Sequence, residues 1–333
     1  MSNAATRKTI VFGNGLGMAL HPPAYDLTLV LAAVWESETL LSPTIKKLIS
    51  GCIPSERPNG PSKENDLSVL QRAVAACDVL NGIKLADEKH WLSPDGQQFP
   101  GAIKKYLYAV ACEIFDARDE RGEPVVLPGA FSEKFAAFIK QSKSHVATLN
   151  YDGLLYNSLQ NSGLMGGEQS LLLDGFKKRR FSRNNLFRKK TAEFSWYLHL
   201  HGSPIFCDDV KGNPVKIQRK KVEGRILSES PHLVLTSVEH KPEVITASPL
   251  LNVYWEFLDR AIKESDEVVL FGYSGDDSHL NDLVSNYAHG KSIRVVEWIG
   301  SGRHDLREKF WKQHISSNVS IEHLEDILEF EDW

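Results

Sequence analysis

Asn150 and Asp152 sit two residues apart in Thr148-Leu149-Asn150-Tyr151-Asp152-Gly153. An amide and a carboxylate at that spacing, with Tyr151 between them, can hold a polar ligand without themselves reacting. Asn and Asp are also favoured helix N-caps, so plain capping competes with ligand binding. His201 is the second candidate. It stands before Gly202 at the end of a strand-like run, Glu193 to His201, and a histidine there is placed for general-base chemistry. Alternation puts His199 and His201 on one face of that strand, with Leu198 and Leu200 on the other. Two histidines suit a metal, but no third ligand is apparent and no metal is expected. Gly272-Tyr273-Ser274-Gly275-Asp276-Asp277 forms a glycine turn in which Ser274 can cap a helix or bond a phosphate. Glu297, near the end of Ile293–Trp298, is either an ordinary edge charge or an acid that takes a ribose diol.

These residues need elements to position them. Ser144–Leu149 reads as a strand and Leu154–Leu159 as the start of a helix, so Asn150 and Asp152 fall where strand gives way to helix. In an open α/β sheet that edge is where ligands bind. Near the N-terminus, Thr9-Ile10-Val11-Phe12 reads as a buried strand that runs into Gly13-Asn14-Gly15-Leu16-Gly17. Strand, glycine turn and helix together can bring backbone N–H groups against a diphosphate. The spacing is G-x-G-x-G rather than G-x-G-x-x-G, and a tight turn needing glycine is an equal account. Glu267–Phe271, running into the Gly272 turn and a helix over His279–Tyr287, repeats the arrangement. Leu233–Thr236 reads as a further strand, Ile293–Trp298 as the final one, and Leu250–Ala261 and His304–His314 as helices.

Between the first strand and Ser144 the pattern is mostly helical, over Leu27–Ser37, Leu67–Leu80, Gly101–Arg118 and Ser132–Lys140. Loops are expected over Pro54–Lys63 and Ser93–Gly101, and Trp35 and Trp91 read as core anchors. The expected fold is therefore α/β: a Rossmann-like, mostly parallel sheet with helices on both faces over 7–34 and 144–333, and a helical insertion subdomain over 35–143. A second excursion carries Lys177-Lys178-Arg179-Arg180 and Arg188-Lys189-Lys190, read as a solvated loop in preference to a phosphate, nucleic-acid or acidic-partner contact.

The 333 residues suffice for one large domain with an insertion. A formal charge of -4 argues against non-specific nucleic-acid binding by the whole surface. Cys52, Cys77, Cys112 and Cys207 are scattered, with no C-x-x-C pair, which fits a reducing compartment. Ile10-Val11-Phe12 is too short for a signal-peptide core, and Leu27–Trp35 is far short of a membrane span. A cytoplasmic location without membrane attachment is expected. Ser2-Asn3-Ala4 is left out of the fold argument.

Taken in order, FGNGLG, TLNYD, HLHGS, LFGYSGDD and VVEW resemble the NAD-binding fold of the sirtuin superfamily. The set most resembles the bacterial sirtuin-like NAD hydrolases, many of which act in anti-phage defence. It covers residues 9–21 and patches of 144–300. The zinc-ribbon cysteines of the deacylases are absent, and His21-Pro22-Pro23 stands in place of I-P-D-F-R, so hydrolysis is implied over protein deacylation. The resemblance implies an NAD nucleosidase with NAD as substrate and no metal. It implies that the backbone of Gly13, Asn14, Gly15 and Leu16 holds the pyrophosphate. It assigns Asn150 to the nicotinamide ribose and a water, Asp152 to the carboxamide, and His201 to the base. It places Tyr151 and Gly272 in the binding turns, Ser274 and Asp277 on the adenosine side, and Glu297 at the adenine ribose. It further implies a homo-oligomer, or a partner defence protein such as an ATPase, helicase or nucleic-acid-guided protein. The alternatives are an NAD-dependent deacylase or ADP-ribosyltransferase, or a non-catalytic nucleotide-binding sensor module.

Overall fold

The computed structural model describes residues 6–53, 60–83, 90–166, 170–187, 194–218, 222, 230–236 and 240–333. Ser2-Asn3-Ala4, residues 54–59 of the Pro54–Lys63 loop, Arg188-Lys189-Lys190 and Glu193 lie outside the described residues.

In chain order the elements are β1 (Lys8–Phe12), α1 (Gly15–Leu20), α2 (Pro22–Tyr25), α3 (Leu27–Trp35), α4 (Pro43–Cys52), α5 (Glu64–Gly82), α6 (Pro94–Phe115) and α7 (Gly129–Ser142). Then come β2 (His145–Thr148), α8 (Leu154–Asn161), β3 (Leu172–Leu173), β4 (Phe176–Lys177), β5 (Arg180–Phe181), β6 (Ser195–His199), β7 (Phe206–Asp208) and β8 (Pro214–Lys216). The chain closes with α9 (Lys241–Ala247), α10 (Pro249–Glu264), β9 (Glu267–Phe271), α11 (Ser278–Ser285), β10 (Ser292–Trp298), α12 (His304–His314) and β11 (Val319–Leu324).

Seven strands form one sheet in the order β11-β10-β9-β1-β2-β6-β3. Every pairing in it is parallel. The central strands are unbroken runs of buried residues (Ile10-Val11-Phe12, Val268-Val269-Leu270-Phe271), as a parallel sheet covered on both faces requires. This is the Rossmann-like α/β fold that the sequence leads one to expect. The chain builds outward from β1 on one side, then returns to lay β9 against its other edge. β1 is thus the switch point, and the crevice at its carboxyl end is the natural ligand site.

One face is closed by an aromatic cluster. Phe12 and Phe271 on neighbouring strands meet Phe131 and Phe135 of α7, and Trp333 inserts among all four, with its ring 4.6 Å from that of Phe135. So α7 belongs to the layer on the sheet, although it falls inside the 35–143 stretch. The helices that pack chiefly on one another are α3 to α6.

Several elements differ from expectation. Leu233–Thr236 is not a strand among the described residues: it makes one isolated bridge, Leu233 to Gly202. β10 is not the last strand, since β11 pairs along its outer edge. As an edge strand β11 needs only one apolar face, and Ser320 and Glu322 dilute its pattern. α6 begins at Pro94 rather than at Gly101, because Ser93 caps it through the Gly96 N–H at 3.2 Å. α4 is an additional helix. Lys177 and Arg180 are paired in a hairpin of a separate four-stranded sheet, β4-β5-β8-β7, with Lys178 and Arg179 at positive φ in the turn. Trp35 is a core anchor, but Trp91 is 62% exposed.

Trp333 has an unpartnered buried Nε1 and contributes through its ring. Trp333→Ala should cost about 3–5 kcal/mol, read as a lower urea midpoint at unchanged slope. Trp333→Phe, which keeps a ring and drops the orphaned N–H, should cost much less.

Candidate active site

The two glycine turns meet backbone to backbone. Gly13 N–H donates to Phe271 O at 2.9 Å and Gly15 N–H to Gly272 O at 2.8 Å. A Cβ on Gly13 would lie 2.7 Å from Gly272 O, and one on Gly15 would lie 2.7 Å from Gly272 Cα. Gly272 itself has φ +59°, where a side chain is strained. These glycines are therefore required by close packing. The Gly13 and Gly15 amides are committed to carbonyls, which is at odds with their holding a pyrophosphate. Asn14, between them, uses its side-chain amide to hold Tyr25 O at 3.0 Å.

Beside this contact lies a cavity of about 990 Å³. Its lining comes from the carboxyl ends of six strands: Gly13, Asn14 and Gly15 after β1, Asn150 and Tyr151 after β2, and His201 after β6. Gly272, Tyr273, Ser274, Asp276 and Asp277 follow β9, Glu297 and Trp298 end β10, and Glu325 and Asp326 follow β11. Glu64 of α5, Ile114 of α6 and Lys241 of α9 add to the wall, with residues of α1, α2 and α12 such as Met18, Tyr25 and Arg307. Residues 200 apart in sequence thus converge because parallel strands deliver their turns to one edge.

Ten of the twelve residues singled out from the sequence line this cavity; Leu16 and Asp152 do not. Leu16 is fully buried in the core. Asp152 accepts from the Leu154 N–H at 2.9 Å, an Asx turn that starts α8. Its Oδ2 is buried without a partner. Burial pushes its pKa up to about 6, against the pull of the Leu154 N–H and the Asn150 side chain. Its place is at the turn, outside the cavity wall. Asn150 donates its Nδ2 to Gly13 O at 3.0 Å, tying the β2 turn to the first glycine turn.

His201 does not stand alone. Its Nε2 is 2.9 Å from Asp277 Oδ2, and both side chains are buried. Lys241 Nζ lies 3.5 Å from that same Oδ2 and 3.5 Å from Glu64 Oε2. Burial lowers the His201 pKa below the usual histidine range; the Asp277 hydrogen bond opposes the shift and Lys241 adds to it. Asp277 is held well below the usual carboxylate range. Burial would raise it, but the His201 contact, Lys241 and the Leu280 N–H outweigh burial. The resting pair is thus a neutral imidazole on an ionised carboxylate. Asp277 was expected on the adenosine side and Ser274 was a candidate cap. Instead Asp277 caps α11, through the Leu280 N–H at 3.1 Å, and Ser274 is exposed at the rim.

Glu297 lines the cavity with its carboxylate already taken. Oε1 and Oε2 accept from Arg307 at 2.6 and 2.9 Å, Oε2 accepts from Ser301 at 2.8 Å, and Trp311 Nε1 also donates to Oε1. It orders the β10 turn in the ordinary manner of a buried acid with partners.

β6 ends at His199, so the two-residue period does not carry to His201. His199 lies among Tyr156, Tyr197 and Phe206, with neither ring nitrogen bonded, and does not line the cavity. Burial holds its pKa well below the usual range. A separate trio, Ser248, His232 and Asp208, has Ser248 Oγ 2.8 Å from Nδ1 and Asp208 Oδ1 3.0 Å from Nε2. Ser248 is buried and caps α10 through the Leu251 N–H, so this serine has no path to a substrate. Among the described residues no His, Cys, Asp or Glu cluster suits a metal, and none of the four cysteines is in a disulfide. No described helix is long and apolar enough to cross a membrane. The sequence offered no local signal for Glu64 or Lys241, which lie on helices distant in sequence from the glycine turns.

No protein-family model matches the chain, and no curated protein sequence matches it.

His199 and His232 both have depressed pKa values, and the unfolded chain takes up protons near pH 6.5 that these folded sites refuse. Stability should therefore fall as pH drops through about 6.5. His199→Phe fills the same aromatic nest without a basic nitrogen. Its urea midpoint should decline less than wild type between pH 7.5 and 5.5, and equal slopes would refute the assignment. Asp152, shifted the other way, affects both proteins alike.

Proposed function

We propose that the chain is an NAD hydrolase that cleaves the nicotinamide–ribose bond to give nicotinamide and ADP-ribose. The observation that carries this reading is the convergence of His201, Asn150 and both glycine turns on one cavity at the switch point of a parallel sheet. A cavity of about 990 Å³ has room for a dinucleotide. The five ordered motifs that resemble sirtuin-like NAD hydrolases all contribute residues to its wall.

The chemistry asks little of the protein in acid catalysis. Cleavage runs through an oxocarbenium-like state, as in other glycosyl transfers. Nicotinamide departs neutral from a cationic parent, so no strong general acid is needed. A water must lose a proton as it attacks the anomeric carbon, and a neutral imidazole in the wall suits that task. Asn150 contributes by holding the Gly13 turn and presenting an amide to the same space. The Asn14 and Tyr151 turns shape the wall, and Asp152 anchors the β2 turn from behind it. In this reading the cellular role is NAD depletion in anti-phage defence, in the cytoplasm, restrained until an oligomer or a partner protein releases it.

Purified protein incubated with NAD should release nicotinamide and ADP-ribose without an acyl peptide. His201→Ala should lower kcat by roughly 10²–10⁴-fold while nucleotide affinity, measured by calorimetry, changes little. Because the His201 pKa is depressed, kcat should stay level from pH 8 to about 6.5 and decline only in more acid solution. Binding without turnover would reduce the protein to a nucleotide sensor. Release dependent on an acylated peptide would make it a deacylase.

A further inference from the structure

We propose that Asp277 is the positioning residue of the site, fixing His201 in the tautomer whose Nδ1, and not Nε2, takes the proton. The inference rests on reading the cavity as the NAD-hydrolysing site, but the geometry behind it does not.

Nε2 of His201 is occupied by Asp277 Oδ2 at 2.9 Å. An ionised carboxylate can only accept, so the proton of a neutral ring must sit on Nε2. That leaves the lone pair on Nδ1. Among the described residues Nδ1 has no hydrogen-bond partner, on a ring that lines the cavity. The unpartnered nitrogen of this cavity-lining ring is therefore the one carrying the free pair. In the reaction a water proton passes to Nδ1, the water oxygen bonds to the anomeric carbon, and the electron pair of the broken C–N bond stays with nicotinamide. The resulting imidazolium carries both protons and faces a carboxylate already in place.

Asp277 is itself locked. Its Oδ1 accepts the Leu280 N–H at 3.1 Å, and its own N–H donates to Tyr273 Oη at 2.8 Å. Tyr273 donates in turn to Asn281 Oδ1 at 3.0 Å. The groups facing His201 from other elements are Tyr151 after β2, with rings 6.4 Å apart, and Lys241 of α9, which reaches Glu64 of α5 on its far side. Lys241 lies 3.5 Å from the same carboxylate oxygen, and its charge favours the ionised form of Asp277. One carboxylate thus does two jobs with separate oxygens, capping α11 with Oδ1 and orienting the base with Oδ2.

That division makes Asp277→Asn the decisive variant. Asn is as good an N-cap as Asp, so its single oxygen stays on the Leu280 N–H and the fold is kept. Its NH₂ then faces Nε2, which must accept, and the ring proton moves to Nδ1. The base is turned off without being removed. The analogous exchange in a serine protease costs about 10⁴-fold in kcat. Here kcat should fall by roughly 10²–10⁴-fold with nucleotide affinity within a few-fold of wild type and a native-like circular dichroism spectrum at the assay temperature. Nitrogen-15 NMR of histidine-labelled protein, with His201 assigned by its absence in His201→Ala, should show an Nε2–H ring in wild type and an Nδ1–H ring in Asp277→Asn. Full turnover in Asp277→Asn, or an Nδ1–H ring already present in wild type, overturns the proposal. If wild type releases no nicotinamide, the hydrolase reading fails, and the NMR arm still decides the tautomer.

Discussion

Everything at the candidate site depends on one backbone contact, the seating of the first glycine turn against the second. Gly13 and Gly15 donate to the carbonyls of Phe271 and Gly272, and a Cβ at either glycine would lie 2.7 Å from backbone atoms of Gly272. Contacts this close permit only hydrogen at those positions, since backbone has no rotamer by which to yield. The contact locks the ends of β1 and β9 at one height. Asn150 then extends the lock sideways to β2 through Gly13 O. Three strand ends are so fixed before any side chain in the cavity is considered.

On that floor the polar residues are divided between structure and chemistry. Glu297 is spent on Arg307, Ser301 and Trp311, and Asp152 is spent on the start of α8. Their burial and their protein partners leave them structural parts. His201 is different, because one of its nitrogens is held and the other has no partner on a ring that lines the cavity. Lys241 and Glu64 come from helices outside the sheet, so the helical layer supplies part of the wall and part of the electrostatics. The site is a joint product of two layers, with the sheet fixing positions and the helices adding charge.

Much of this was legible in the residues. Continuous apolar runs over Ile10–Phe12 and Val268–Phe271, each followed by glycine, specified parallel strands with turns at one edge, and that alone brought most of the candidate residues together. Local pattern did not decide between two uses of the same residue. Glycine for a diphosphate and glycine for a tight contact look alike in sequence, and only the atoms facing Gly13 and Gly15 separate them. The His199 and His201 pairing failed because strand periodicity was carried two residues past the strand's end. The Asp277 role was hidden for another reason. Its helix cap reaches only three residues along the chain, while its contact to His201 spans 76 residues. β11 and the small antiparallel sheet escaped because edge strands and strands of two or three residues carry too few apolar positions to register.

The position of β1 at the centre of the sheet also bears on how the chain acquires its shape during synthesis. Contacts on either side of β1 join residues 136 and 256 apart, Lys8 to Ser144 and Thr9 to Ser265. Closing such long loops costs entropy before the pairing can repay it, and topologies dominated by distant contacts fold slowly. On the ribosome β1 emerges ahead of both its neighbours, and its contact beside β9 forms only with residues made 256 positions later. Until then an apolar strand waits with an open edge, the kind of segment that chaperones shield.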